Sequence, residues 1–222
     1  MAKNAEKVQK EVKEQQVKVD RLPLQEVVVT IYGISPLLMK PFTEKCQQQV
    51  EDCQSKTKKT RTTEKRDYDA EYEDLLNGCR ISGVNGNSVY GIPASGLKKC
   101  GVRMGSLMWQ QDKKNYAGTY LKSSFQVVAV DGGTSGGLLP IEGSEPVMDF
   151  MWGRLPGPKK VPIKIVRPRW DEWQCTFKIL YNRNMITPED LMNLYENAGF
   201  SVGLCEFRPE KDGNFGMFSV RK

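Results

Sequence analysis

Residues 173–199 read WQCTFKILYNRNMITPEDLMNLYENAG, and two periods meet inside them. Trp173, Cys175, Phe177 and Ile179 alternate with Gln174, Thr176, Lys178 and Leu180. A period of two predicts a strand with one buried face, spanning about 172–181. Thr187-Pro188-Glu189-Asp190 then supplies an N-cap, a proline at the first helical position and an acid three residues after the cap. Leu191, Leu194, Tyr195 and Ala198 follow at helical spacing, which predicts a helix near 187–198. Gly199 is expected to close it.

Working outward, Phe215–Val220 predicts a terminal strand after the loop Arg208-Pro209-Glu210-Lys211-Asp212-Gly213-Asn214. Upstream, Val27-Val28-Val29-Thr30-Ile31-Tyr32 is a β-branched run that stops at Gly33, the signature of a buried strand. Phe125–Val130 predicts another strand, and Leu138–Ile141 a restart after a glycine-rich loop. Between them, Leu97, Cys100, Met104, Leu107 and Met108 predict a helix over 94–108. Lys98, Lys99 and Arg103 lie off its apolar stripe, and Gly101 and Gly105 would admit a close neighbour. The order is strand, helix, strand, strand, helix, strand. The expected fold is therefore α+β and ferredoxin-like (βαββαβ), an antiparallel sheet with helices on one face and long insertions.

Residues 1–22 read as a charged arm, and 23–222 as a single core domain. Lys56–Arg66 carries six basic residues and no apolar stripe, so the region about 43–76 is expected to be an exposed insertion. Tyr68, Tyr72, Leu75 and Leu76 return it to the core as a short amphipathic helix. Pro156, Pro158, Pro162 and Pro168 punctuate an extended basic segment at about 153–170, expected to be an ordered loop.

The composition argues against catalysis. The chain has no histidine, which removes the commonest general base near neutral pH and the commonest zinc ligand. Six cysteines are present, none in a C-x-x-C pair, and they read as reduced core thiols. Phosphate-loop, dinucleotide and calcium-loop motifs are missing. Asp67, Asp69, Glu71, Glu73 and Asp74 read as a solvated helix face rather than a magnesium site. No enzyme, cofactor or metal is expected. Neither a membrane span nor a signal peptide is visible, so the expected location is cytoplasmic. The formal charge is +6, and Arg154–Arg183 holds eight basic residues against two acids. That surplus suits a phosphate-bearing partner.

Three stretches carry a resemblance. They are Ile31-Tyr32-Gly33-Ile34-Ser35-Pro36-Leu37-Leu38, Tyr90-Gly91-Ile92-Pro93-Ala94-Ser95-Gly96-Leu97-Lys98-Lys99, and Gly199-Phe200-Ser201-Val202-Gly203 with Arg208-Pro209 and Gly213–Phe218. Together they resemble the RAMP superfamily, the ferredoxin-like RNA-binding subunits of CRISPR effector complexes, and related uncharacterised phage proteins. The histidine of the family's RNA-cleaving members has no counterpart. The resemblance implies a non-catalytic binder of single-stranded RNA or DNA that contacts mainly the phosphate backbone and self-assembles along the strand. The alternative is a phage structural or adaptor protein that binds another protein. The expected contact residues are Lys98, Lys99, Arg103, Lys159, Lys160, Lys164, Arg167, Arg169, Arg208 and Lys211 for phosphates. Trp170 is expected to stack on a base, and the Gly213 and Gly216 amides to approach the backbone.

Overall fold

The computed structural model describes residues 21–55, 66–81, 89–109, 116–130, 137–154 and 162–221. Lys159, Lys160, the basic stretch 56–65 and nearly all of the expected arm lie outside them. In chain order the elements are β1 (Leu24–Gly33), β2 (Leu37–Leu38), α1 (Glu44–Gln54), α2 (Tyr68–Cys79), β3 (Arg80–Ile81), β4 (Val89–Pro93), α3 (Ala94–Met108) and α4 (Tyr116–Ser124). There follow β5 (Phe125–Val128), β6 (Leu138–Gly143), β7 (Val147–Arg154), β8 (Pro162–Trp170), β9 (Trp173–Asn182), α5 (Pro188–Ser201) and β10 (Phe218–Val220). The fold is α+β with antiparallel pairing throughout these strands.

The main sheet runs β10-β1-β9-β6-β4-β3, and β5 also pairs with β9. β5 lies beside the Lys178–Tyr181 end of β9, and β6 beside its Trp173–Cys175 end. The two strands thus share one edge of β9. The four strands read from the sequence near 26–32, 124–130, 172–181 and 215–220 all belong to this sheet.

Alternation in β1 and β9 fixes which face is inside. Val29, Ile31, Cys175, Phe177, Ile179 and Tyr181 are buried, while Val28 and Tyr32 are exposed. α3 and α5 pack on the buried face and on each other. Tyr195 of α5 sits between them, with its ring against Phe125 and Phe177 at centroid distances of 6.3 and 5.5 Å. Its hydroxyl donates to the Leu97 carbonyl, so a fully buried phenol keeps its hydrogen bond.

α5 begins as its sequence dictates. The Thr187 side chain accepts from the Asp190 amide, and the Asp190 carboxylate accepts from the Thr187 amide, a reciprocal capping box with Pro188 after the cap. Such a cap contributes about 1 kcal/mol, whereas burying Leu191, Leu194, Tyr195 and Ala198 contributes about 2 kcal/mol for each large side chain. The cap therefore sets where the helix starts, and packing sets how stable it is. Gly199 does not end it. The helix continues to Ser201, and Gly203 adopts the left-handed conformation that closes it, at φ 69°. Gly199 is needed because β10 crosses there: a Cβ would lie 1.9 Å from the Phe218 carbonyl oxygen.

Two expected loops differ. Residues 162–170 are not an extended loop but strand β8, paired with β7 from Val147↔Arg169 to Arg154↔Pro162 in a three-stranded sheet with β2. The prolines are tolerated because Pro162 is the first residue of β8 and Pro168 lies just past the two-residue pairing with β2 at Arg169 and Trp170. The region 43–76 is exposed only in part. α1 buries no described side chain, but Thr43 is buried and α2 buries Leu75, Leu76 and Cys79. A helix absent from the sequence reading, α4, lays Leu121 against α3 at Gly105. No helix is long and apolar enough to cross a membrane among the described residues.

Candidate functional site

The three motif stretches, far apart in sequence, meet in one place. The turn after β1 is tied to the C-terminal loop. Ser35 accepts from the Met217 amide through Oγ and from the Trp173 indole through its carbonyl. The Gly216 amide donates to the Pro36 carbonyl, and the Glu206 amide to the Leu38 carbonyl. The start of α3 packs alongside: the Cys100 thiol is 3.4 Å from the Gly203 carbonyl oxygen, to which it donates. Cys205, Phe207 and Asp212 all take positive φ, at 61°, 50° and 59°. Three non-glycine residues in that region within one short loop is strained backbone, held by the hydrogen bonds around it.

Between this loop, α3 and the segment after β2 lies a cleft of about 930 Å³. Ile92, Leu204, Met39 and Phe42 give it apolar walls, and Cys79 and Cys100 lie at its buried side. Lys40, Lys99, Arg103 and Arg208 bring four cations to it, and Glu206 and Glu210 two carboxylates. Burial pushes the thiols of Cys79, Cys100 and Cys205 up to about 12, so none is a nucleophile at neutral pH. Among the described residues, no group of three or more side chains could hold a metal ion.

Of the residues expected to bind, Lys99, Arg103 and Arg208 share this cleft. Glu210 joins two of them. Arg103 Nε donates to its Oε1 at 2.7 Å, and Arg208 donates to its Oε2 at 2.8 Å from one nitrogen and 3.2 Å from Nε. Burial raises the Glu210 carboxyl's pKa, but the guanidiniums of Arg208 and Arg103 outweigh that and hold it below the usual range. Lys98 leaves the cleft and donates to Gln126 on β5. Lys211 is exposed on the short 3-10 turn Pro209–Lys211. Arg169 and Lys164 lie on β8. Arg169 donates to Asp171 and Asp149, and the Lys164 ammonium lies 3.5 Å from the Phe150 ring centroid.

Four expectations are corrected. Trp170 is 2% exposed, with its ring against Tyr90, so it belongs to the core and offers no stacking face. Arg167 is buried too, donating to the Val166 carbonyl and lying 3.7 Å from Glu206, so its guanidinium does not stand on the surface. Gly213 and Gly216 are glycines because the backbone crosses itself. A Cβ would fall 1.7 Å from the Phe207 oxygen at one and 2.0 Å from the Leu204 oxygen at the other. Their amides are already committed, to the Arg208 and Pro36 carbonyls, and cannot cradle a phosphate. The sequence reading also passed over Lys40 and Glu210 in the cleft. Trp152, by contrast, is 76% exposed on β7. Trp152 carried a signal, since it alternates with Phe150 in a run that reads as a strand once β8 is seen as its partner.

No protein-family model matches the chain, and no curated protein matches it. Among solved structures, the chain is similar to the crystal structure of Cmr6 from Pyrococcus furiosus, with a TM-score of 0.42 and 9% identity. The match covers 90% of this chain and 100% of that one. A likeness of that degree carries no functional argument.

Proposed function

We propose that this chain is a non-catalytic binder of single-stranded RNA or DNA, built on a ferredoxin-like core, that holds the phosphate backbone along the cleft rim. The carrying observation is convergence. Lys40, Lys99 and Arg103, and Arg208 come from three separate stretches and line one cleft, where cations outnumber carboxylates four to two. Backbone phosphates are the ligand such a rim suits, because they attract cations irrespective of base sequence. The core assignment rests on strand order. Counting only β10-β1-β9-β5, with α3 between β1 and β5 and α5 between β9 and β10, the arrangement is βαββαβ, and the other elements are insertions. Self-assembly along the strand belongs to the same proposal.

The test is binding of short single-stranded RNA and DNA oligonucleotides across a salt series. The expected result is a linear fall of log affinity with log salt, with a slope of about −0.7 for each phosphate held. Absence of binding to either polymer at about 50 mM salt would defeat the reading. A second reading, an adaptor that docks another protein, is favoured by one observation: Trp152 and Phe150 are 76% and 45% exposed on β7. W152A would then abolish partner capture while oligonucleotide binding was absent throughout.

A further inference from the structure

Arg103 and Arg208 reach the cleft from elements about a hundred residues apart, yet both aim at one carboxylate. Each takes a different oxygen of Glu210, so the group lies between them as a two-oxygen anion. A phosphodiester also presents two charged oxygens at similar separation, and guanidinium forks match it. Glu210 is bound by both arginines yet stays within reach of solvent. It sits on the 3-10 turn Pro209–Lys211, its side chain is 23% exposed, and its partner Arg103 is 52% exposed. The neighbouring Glu206 differs: it is 41% exposed and lies 3.7 Å from the buried Arg167, so that carboxylate has a cation of its own to remain with.

We infer that Glu210 is a resident substitute for a backbone phosphate: it occupies a two-arginine phosphodiester subsite, and a bound strand displaces it. The inference rests on the proposed nucleic-acid reading and deepens it by naming the subsite and its competitor. Glu210 keeps Arg103 and Arg208 oriented in the free protein and lowers the net charge of the cleft. A strand phosphate that enters takes both guanidiniums, and the Glu210 carboxylate turns out into water, where it is stable as an ion. The free protein therefore binds more weakly than its arginines alone would allow, and the carboxylate sets the threshold.

The experiment compares the parent with E210Q, R103Q/R208Q and the triple variant, each titrated with short single-stranded RNA and DNA oligonucleotides over a salt series. E210Q should bind several-fold tighter than the parent, and its salt slope should steepen by about 0.7 to 1.4, for one or two phosphate contacts no longer opposed. The gain should vanish in the triple variant, because it acts through the two arginines. E210D, which is charged but one methylene too short to bridge both arginines, should fall between the parent and E210Q. It serves as the second variant if E210Q unfolds, judged by its thermal midpoint. If the parent binds and neither E210Q nor E210D binds more tightly, or if the gain survives in the triple variant, the inference is overturned while the proposed function stands. If no variant binds either polymer, the proposed function itself falls, and the subsite with it.

Discussion

At the scale of single residues, the loop from Gly203 to Gly216 shows why composition misleads. Its glycines suggest an open cradle, but Gly216 is buried at φ 66° with the Leu204 oxygen where a side chain would begin. Gly216→Ala should lower unfolding stability by about 3 kcal/mol, measured by urea denaturation. Gly96→Ala meets nothing within 4 Å in α3 and should be neutral or gain about 0.5 kcal/mol, though it also lines the cleft. Thiols give a pH test. Burial raises Cys79, Cys100, Cys175 and Cys205 from 9.0 to about 12. A raised folded pKa means that the unfolded chain loses its protons first. The stabilisation is therefore complete below pH 9 and is lost as pH climbs towards 12, at up to about 1.4 kcal/mol per thiol per pH unit. Urea midpoints should fall over that window, and native alkylation at pH 8 should favour the half-exposed Cys46 over the buried Cys79, Cys100 and Cys175. A flat profile between pH 9 and 11 would contradict this account. Charge was the hardest property to read from sequence. Arg103, Arg167 and Arg169 look like a free positive surface, but Glu210, Glu206 and Asp149 are brought to them by tertiary folding.

At the scale of elements, the alternation of β9 and the capping box of α5 were legible because each is written locally, within eight residues. Thr187→Ala should cost about 1 kcal/mol by removing the hydroxyl that accepts from the Asp190 amide, read as a lower thermal midpoint with the fold retained. β8 was not legible. Its prolines and positive charges mimic a loop, and only pairing with β7 over eight register positions makes it a strand. The helices differ in how they are held. α1 has no buried described side chain, whereas α5 buries five residues and packs on α3 and β10. Hydrogen exchange should therefore be fast across 44–54 and slow across 191–199. Equal protection of the two would show that α1 packs on something the contacts do not include.

At the scale of the whole molecule, the α+β class and the antiparallel strands near 26–32, 124–130, 172–181 and 215–220 could be read in advance because each strand is written locally, while the segments between them hide the second sheet and α4. The cleft was only partly legible. Helical spacing on α3 picked out Lys99 and Arg103, but nothing local links them to Lys40, Glu210 or the Ser35 turn. Lys99→Glu with Arg103→Glu should weaken binding to all oligonucleotide sequences alike and reduce the salt slope by about 1 to 2. Stability should change by under about 1 kcal/mol, because the Arg103 pair is half exposed. Discrimination between sequences in the size of the loss would argue for base contacts instead of phosphate contacts.

The pairing of β1 with β9 has a consequence for synthesis on the ribosome. β1 ends at Gly33, and the strand that hydrogen-bonds it from Leu24 to Tyr32 begins only at Trp173. At cellular translation rates, β1 therefore waits roughly 10 s for its partner, with Val29 and Ile31 uncovered and its backbone groups unpaired. For that interval the emerging chain is a template for any other strand, including the same segment of a neighbouring nascent chain. Charged neighbours such as Glu26 and Arg21 are the only gatekeepers beside it in the described sequence. Slow-translating hosts should accordingly give more aggregated product than fast ones, with hold-type chaperones restoring the yield.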